Sequence, residues 1–135
     1  MRETFRLPIR VYYEDTDAAG IVYYANYLKF MERARTEWLS SLGFELSALE
    51  RVENIVFVVH RVEIDYHLPA RLGERLDATL TLVELDGARM VVAQDVARED
   101  RVLTRARVLL ACLDRTHRRP TRIPATLRER LGSLL

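Results

Sequence analysis

Glu14, Asp15 and Asp17 place three carboxylates within four positions, ahead of Ala18-Ala19-Gly20 and an aromatic run containing Tyr23, Tyr24 and Tyr27. Mutual repulsion and an apolar neighbourhood both raise the cost of ionising such a cluster. A calcium loop starting at Asp15 would place Asp17 at its third position and Gly20 at its sixth. Ala19 and Asn26 then fall where the fifth and twelfth ligands belong, the latter a bidentate glutamate, so calcium is rejected. A carboxylate pair of the glycosidase kind needs a sugar-lined cleft, and nothing else in the chain supplies one. What remains is a single carboxylate set just before a helix. The helix's first amides, around Val22 to Tyr24, lack intrahelical partners and carry the positive end of the helix dipole. Such amides can polarise a carbonyl and hold an oxyanion, while a nearby carboxylate attacks that carbonyl or activates water. Simple capping, with Asp15 or Asp17 accepting hydrogen bonds from those amides, explains the same residues. The pattern leaves both open.

The elements that must position this loop follow from periodicity. Phe5, Leu7, Ile9, Val11 and Tyr13 alternate with more polar neighbours, which predicts a half-buried strand, and Pro8 places it near a sheet edge. From about Tyr24 the spacing changes. Tyr27, Leu28, Met31, Ala34, Trp38 and Leu42 recur at three- and four-residue steps, giving an amphipathic helix closed by Gly43. After a polar connection, Val56, Val58, His60, Val62, Ile64 and Tyr66 share one face of a long strand, which "HLPARLGE" interrupts. Strands follow over 76–85, 90–97 and 102–113, with "LDGA" between the first two as a hairpin turn suited to positive φ. A short amphipathic helix over 125–134 ends the chain. One long helix among strands joined largely by hairpins predicts an α+β domain whose antiparallel sheet curves around that helix. The open sheet edges predict self-association.

Composition narrows the function classes. The chain has 135 residues, the length of one domain spanning 1–135, and its 21 basic against 20 acidic side chains give no whole-chain field to draw in nucleic acid. One cysteine, Cys112, excludes an internal disulfide, and no Cys/His spacing suggests a metal. No segment has the apolar length of a signal peptide or membrane span, so the expectation is a cytoplasmic protein without membrane insertion.

"RVYYEDTDAAGIVYYANYL" resembles, position by position, the signature of the 4-hydroxybenzoyl-CoA thioesterase family, and looks closest to its YbgC-type acyl-CoA thioesterases associated with the Tol-Pal cell-envelope system. Arg10, Val11, Thr16, Asp17, Gly20, Ile21, Val22, Ala25 and Tyr27 carry the match, which continues through "KFMERARTEWL" and "FVVHRVEIDYHLPARLGERL". The resemblance implies a hotdog fold, with a long helix wrapped by a curved antiparallel sheet that pairs between subunits of a homodimer or homotetramer. It further implies hydrolysis of acyl-CoA thioesters without metal or other cofactor. Asp17 would be the essential nucleophile or general base, and the Tyr24 backbone N–H would polarise the thioester carbonyl. Glu14 and Asp15 are left to capping and solvent-facing hydrogen bonds. Many YbgC-type members carry histidine where this chain has Tyr24, in which it resembles the 4-hydroxybenzoyl-CoA enzymes instead. That change keeps a backbone donor but removes a side-chain acid or base.

Other residues are weighed beside these. Tyr13 extends the inward face of the first strand and is read as core, with substrate contact as the alternative. Gly20, Val22 and Tyr27 are candidate substrate contacts through the loop and helix start. His60, on an apolar strand face, is read as a core or interface residue that could line an acyl pocket. His67 and His117 receive no catalytic role, and Cys112 is expected to be buried. Among the arginines, Arg71, Arg118 and Arg119 are candidates for the phosphates of CoA, with Arg75, Arg115 and Arg122 nearby in sequence, because guanidinium groups match phosphate with paired donors. RNA binding by the same arginines is not expected, since no aromatic platform accompanies them. Two rival functions stay open: a thioesterase acting on acyl groups of an acyl carrier protein, and a scaffold that binds acyl carriers or envelope proteins while catalysing little.

Overall fold

The computed structural model describes residues 2–135. Strand β1 (Phe5–Arg10) is followed by a single 3-10 turn over Tyr13–Asp15, helix α1 (Asn26–Ser41) and helix α2 (Leu46–Val52). Strands β2 (Ile55–Tyr66), β3 (Arg75–Leu85), β4 (Arg89–Arg98) and β5 (Arg101–Asp114) come next, and helix α3 (Ala125–Gly132) closes the chain. All five strands form one antiparallel sheet in the order β1-β3-β4-β5-β2. The expected α+β architecture, one long helix against a curved antiparallel sheet, is what forms.

Helix α1 lies across β1, β3 and β4. Its buried face is Tyr27, Phe30, Met31, Ala34, Trp38 and Leu39, while Leu28, expected on that face, is 40% exposed. Phe30 takes the place given to Leu28, since a three-then-four step from Tyr27 reaches Phe30, Met31 and Ala34. The helix begins two residues later than its periodicity suggests, and it ends as expected. Gly43 sits at φ 95°, where only glycine is unstrained, and the Phe44 N–H closes back on the Leu39 carbonyl at 2.9 Å. The helix is also fastened at its middle. Gln94, fully buried on β4, donates from Nε2 to the Met31 carbonyl at 2.9 Å and accepts from Arg35 Nη1 at 2.9 Å.

Several sequence expectations are corrected. The connection after Gly43 contains α2, whose one buried side chain is Leu49; two turns are too short to show a period. Strand β1 stops at Arg10 and leads into the 3-10 turn, so Tyr13 stands 83% exposed and is not core. Strand β2 is an edge strand with a register shift between Val59 and Arg61. That bulge breaks the alternation at His60, which is exposed rather than set on a buried apolar face. The hairpin at 86–88 is present, but its glycine is not at positive φ; Asp86 shapes the turn by accepting the N–H groups of Ala88 and Arg89 at 3.0 and 2.8 Å. Pro8 does lie on an edge strand, β1, where a missing donor is tolerated. Cys112 is fully buried, and that burial pushes its thiol up to about 11. Among the described residues no helix is long and apolar enough to cross a membrane.

Candidate active site

The acidic cluster divides by role. Asp15 is buried, and its Oδ2 accepts the Tyr12 N–H at 2.9 Å, closing the 3-10 turn. Its backbone carbonyl accepts the Tyr23 N–H at 3.0 Å and the Asn26 Nδ2 at 2.9 Å, so this one residue organises the approach to α1. Glu14 points to solvent. Asp17 heads a tight turn in which its carbonyl accepts the Gly20 N–H at 3.0 Å and its N–H donates to the Ile21 carbonyl at 2.9 Å. Gly20 adopts φ 77°, the conformation that lets the turn reverse so sharply. The Asp17 carboxylate is exposed, with Oδ1 accepting the Ala19 N–H at 2.8 Å. Neither Asp15 nor Asp17 caps α1; its N-cap is Ala25, which has no side-chain hydrogen bond to offer. The capping explanation of Asp17 is therefore set aside.

Of the three amides expected to be free at the helix start, two are spent. The Val22 N–H donates to the Ala70 carbonyl at 2.9 Å and the Tyr23 N–H to Asp15. Among the described residues the Tyr24 N–H alone of these three has no backbone partner. The peptide that carries it is fixed from its other side, because the Tyr23 carbonyl accepts the Asn26 N–H at 2.8 Å. In a trans peptide C=O and N–H point in opposite directions. The Tyr24 donor is thereby turned away from the helix body.

Beside it lies a cavity of about 310 Å³ lined by Ile21, Val22, Tyr24, Tyr27, Tyr66 and the 67–69 segment. Tyr66 packs edge-on against Tyr24 and Tyr27, with ring centroids 6.1 and 5.7 Å apart. The Tyr27 hydroxyl accepts the Ala70 N–H at 3.0 Å. Burial is the main reason that the pKa values of both Tyr27 and Tyr66 lie above the usual phenol range. Both rings stay neutral at physiological pH, and the cavity suits an uncharged, flat or apolar group. Its far wall is strapped to the Asp17 loop by the Val22–Ala70 hydrogen bond and by a β-bridge between Ile21 and Arg71. Arg98 braces the strap through Glu74 at 2.9 Å, and Glu74 also accepts the Arg71 N–H at 2.6 Å.

Of the expected site residues, Val22, Tyr24 and Tyr27 line the cavity, while Asp17, Gly20 and Arg71 lie on the adjoining loop and strap, outside its lining. Tyr13 and His60 do not line the cavity. Arg118 and Arg119 follow the end of β5 that pairs with Ile55, whereas Tyr66 marks the opposite end of β2. Twelve residues of extended strand separate those ends, roughly 35 Å, so within one chain these two arginines are remote from the loop. Sequence reasoning missed Tyr66, Ile21, His67, Leu68 and Pro69 as cavity residues. An aromatic residue ending a strand just before a proline-containing break was the available signal.

The geometry defines a class before it defines a family: a hotdog fold with an acidic loop ahead of its long helix. The structure superposes on a probable thioesterase from Bartonella henselae with a TM-score of 0.87 and 34% identity, covering 90% of this chain and 100% of that one. It also superposes on a 1,4-dihydroxy-2-naphthoyl-CoA thioesterase from Synechocystis with a TM-score of 0.89 and 27% identity, covering 98% of each. In sequence it is 40% identical over 124 residues to the acyl-CoA thioester hydrolase YbgC of Escherichia coli, covering 91% of this chain and 92% of that protein. Residues 11–131 match the thioesterase-like superfamily. The chain belongs to that superfamily, in its YbgC group, and is a thioester hydrolase.

Proposed function

We propose that the chain hydrolyses acyl-CoA thioesters, with Asp17 in the chemical step and the Tyr24 N–H as the donor to the thioester carbonyl. The observation that carries this reading is the division of labour at the start of α1. The Asp17 carboxylate is exposed and not used as a cap, and the Tyr24 N–H has no backbone partner, whereas those of Val22 and Tyr23 before it are spent. The acyl group would occupy the aromatic cavity with its carbonyl oxygen toward that N–H. As the carbonyl carbon becomes tetrahedral, negative charge grows on the oxygen, and a fixed donor at the positive end of a helix stabilises it there more than in the ground state. Asp17 either attacks the carbon, expelling the CoA thiolate and forming a mixed anhydride that water then opens, or takes a proton from a water that attacks directly. Both routes consume one water and release a carboxylic acid and a thiol. Arg71, exposed beside Ile21, is the arginine best placed to meet CoA phosphate from the same chain. A second copy, joined at a free sheet edge, would bring Arg118 and Arg119 toward a neighbouring site.

The test is thiol release from short aliphatic, long aliphatic and aromatic acyl-CoAs by wild type and Asp17→Asn, each first shown to be folded and equally assembled. The expected loss is about a thousandfold or more in kcat, the scale of removing a nucleophile or general base. Equal rates would refute the role of Asp17. Turnover confined to esters of an acyl carrier protein would replace CoA as the carrier, and absence of turnover on any thioester would leave the scaffold reading.

A further inference from the structure

Tyr66 is the last residue of β2, and its hydroxyl donates to the Tyr24 carbonyl at 3.1 Å. A carbonyl can only accept, so the phenol must be the donor and must keep its proton. This contact fixes the second of the two peptide planes that meet at Tyr24. The first, which carries the Tyr24 N–H, is held by the Asn26 N–H on the Tyr23 carbonyl at 2.8 Å, and Asn26 is itself tied to the Asp15 carbonyl at 2.9 Å. With both planes held, φ and ψ of Tyr24 have little freedom, although this residue precedes the regular helix and lacks its hydrogen-bond ladder. The same ring forms part of the cavity wall, between Tyr24 and Tyr27. Tyr66 stands next to Thr104 in the β2–β5 ladder, so the latch is anchored in the sheet rather than in a loop.

We infer that Tyr66 is a positioning residue for thioester hydrolysis, whose hydroxyl latches the Tyr24 turn so that the Tyr24 N–H is aimed into the acyl cavity. The inference rests on the reading that this N–H is the carbonyl donor. It assigns two separable jobs to one side chain: the hydroxyl governs the rate of the chemical step, and the ring governs fit of the acyl group. A donor already oriented in the resting enzyme needs no reorganisation as charge develops, which is where such groups gain their effect. Displacing it by a fraction of an ångström weakens the transition state while leaving the bound thioester nearly unaffected.

Steady-state kinetics of wild type, Tyr66→Phe, Tyr66→Leu and Asp17→Asn on the best acyl-CoA separate these jobs. Tyr66→Phe keeps the ring and is expected to lower kcat about tenfold with KM within about twofold, a partial loss of an oriented donor. Tyr66→Leu is expected to lower kcat similarly and to raise KM as well. A purely structural residue would instead reduce the amount of active enzyme without splitting kcat from KM between the two variants. Difluorotyrosine installed at Tyr66 gives a second readout that preserves the fold. Its more acidic phenol loses its proton at a lower pH than the native one and can then no longer donate, so kcat should fall as pH rises through a range in which wild type does not change. Tyr66→Phe at the wild-type rate beside an inactive Asp17→Asn, or a difluorotyrosine enzyme with the wild-type pH profile, overturns the latch. Wild-type turnover by Asp17→Asn overturns the underlying reading of the site and the inference with it.

Discussion

Gln94 gives the sharpest test of how the site helix is held to the sheet. Its side chain is fully buried and makes two hydrogen bonds, from Nε2 to the Met31 carbonyl and from Arg35 Nη1 to Oε1, each at 2.9 Å. Gln94→Met keeps the volume and removes both. The bond to a charged partner is worth about 1.5–3 kcal/mol and the neutral one about 1 kcal/mol, and the Arg35 guanidinium is left largely buried without its acceptor. Burial pulls the Arg35 pKa below its usual value, with the nearby Glu32 acting in the opposite direction. A loss of about 3 kcal/mol follows. With an unfolding entropy near 2.1 cal/mol/K for each of 135 residues, the melting temperature should drop by about 10 °C. Scanning calorimetry at fixed protein concentration measures this, the concentration being held because any assembly adds to apparent stability. Arg35→Met in the same chain removes the stranded charge, so the double variant should recover to within about 1 kcal/mol of wild type. A single variant that melts within about 2 °C of wild type would refute the reasoning, as would a double variant whose loss is the full sum of the two singles.

Two further expectations concern β5. The Cys112 thiol, pushed by burial to about 11 from 9.0, ionises in the unfolded chain before it does in the folded one. The unfolded state therefore binds fewer protons between pH 9 and 11, and stability should fall across that window by roughly 2–3 kcal/mol; urea melts as a function of pH should lose this slope in Cys112→Ala, and an unchanged slope would reject the assignment. The Thr104 hydroxyl is buried and has no hydrogen-bond partner among the described residues, so Thr104→Val should be neutral or stabilising by up to about 1 kcal/mol in the same melts. A loss of more than about 1 kcal/mol would reveal a partner that the folded chain acquires.

Period and punctuation in the sequence determined the secondary elements well wherever a segment was long enough to repeat. The 3.6-residue stripe from Tyr27 to Trp38 is α1, Gly43 stops it, and Pro8 sits on an edge strand. The acidic loop and the aromatic run after it were also legible, because unusual residue types at short spacing need no tertiary knowledge to be noticed. The sequence could not place β2 at the far edge of the sheet, since strand order follows from how the sheet closes on α1 and leaves no local trace. Nor could it reveal the bulge that turns His60 outward, or the 3-10 turn that sends Tyr13 into solvent. Both depend on backbone hydrogen bonds made or forgone between segments. The choice of Tyr24 among three candidate amides was likewise a tertiary decision. Ala70 and Asp15 lie 48 and 8 positions from the donors they satisfy, Val22 and Tyr23, and only folding brings those carbonyls close enough to leave the Tyr24 N–H unclaimed. Tyr66 belongs to the same category. Its sequence neighbours mark it as the end of a strand, but its hydroxyl reaches across 42 positions to the turn that starts the helix. Residue chemistry set which groups were available, and three-dimensional competition for hydrogen bonds decided which of them remained free to act.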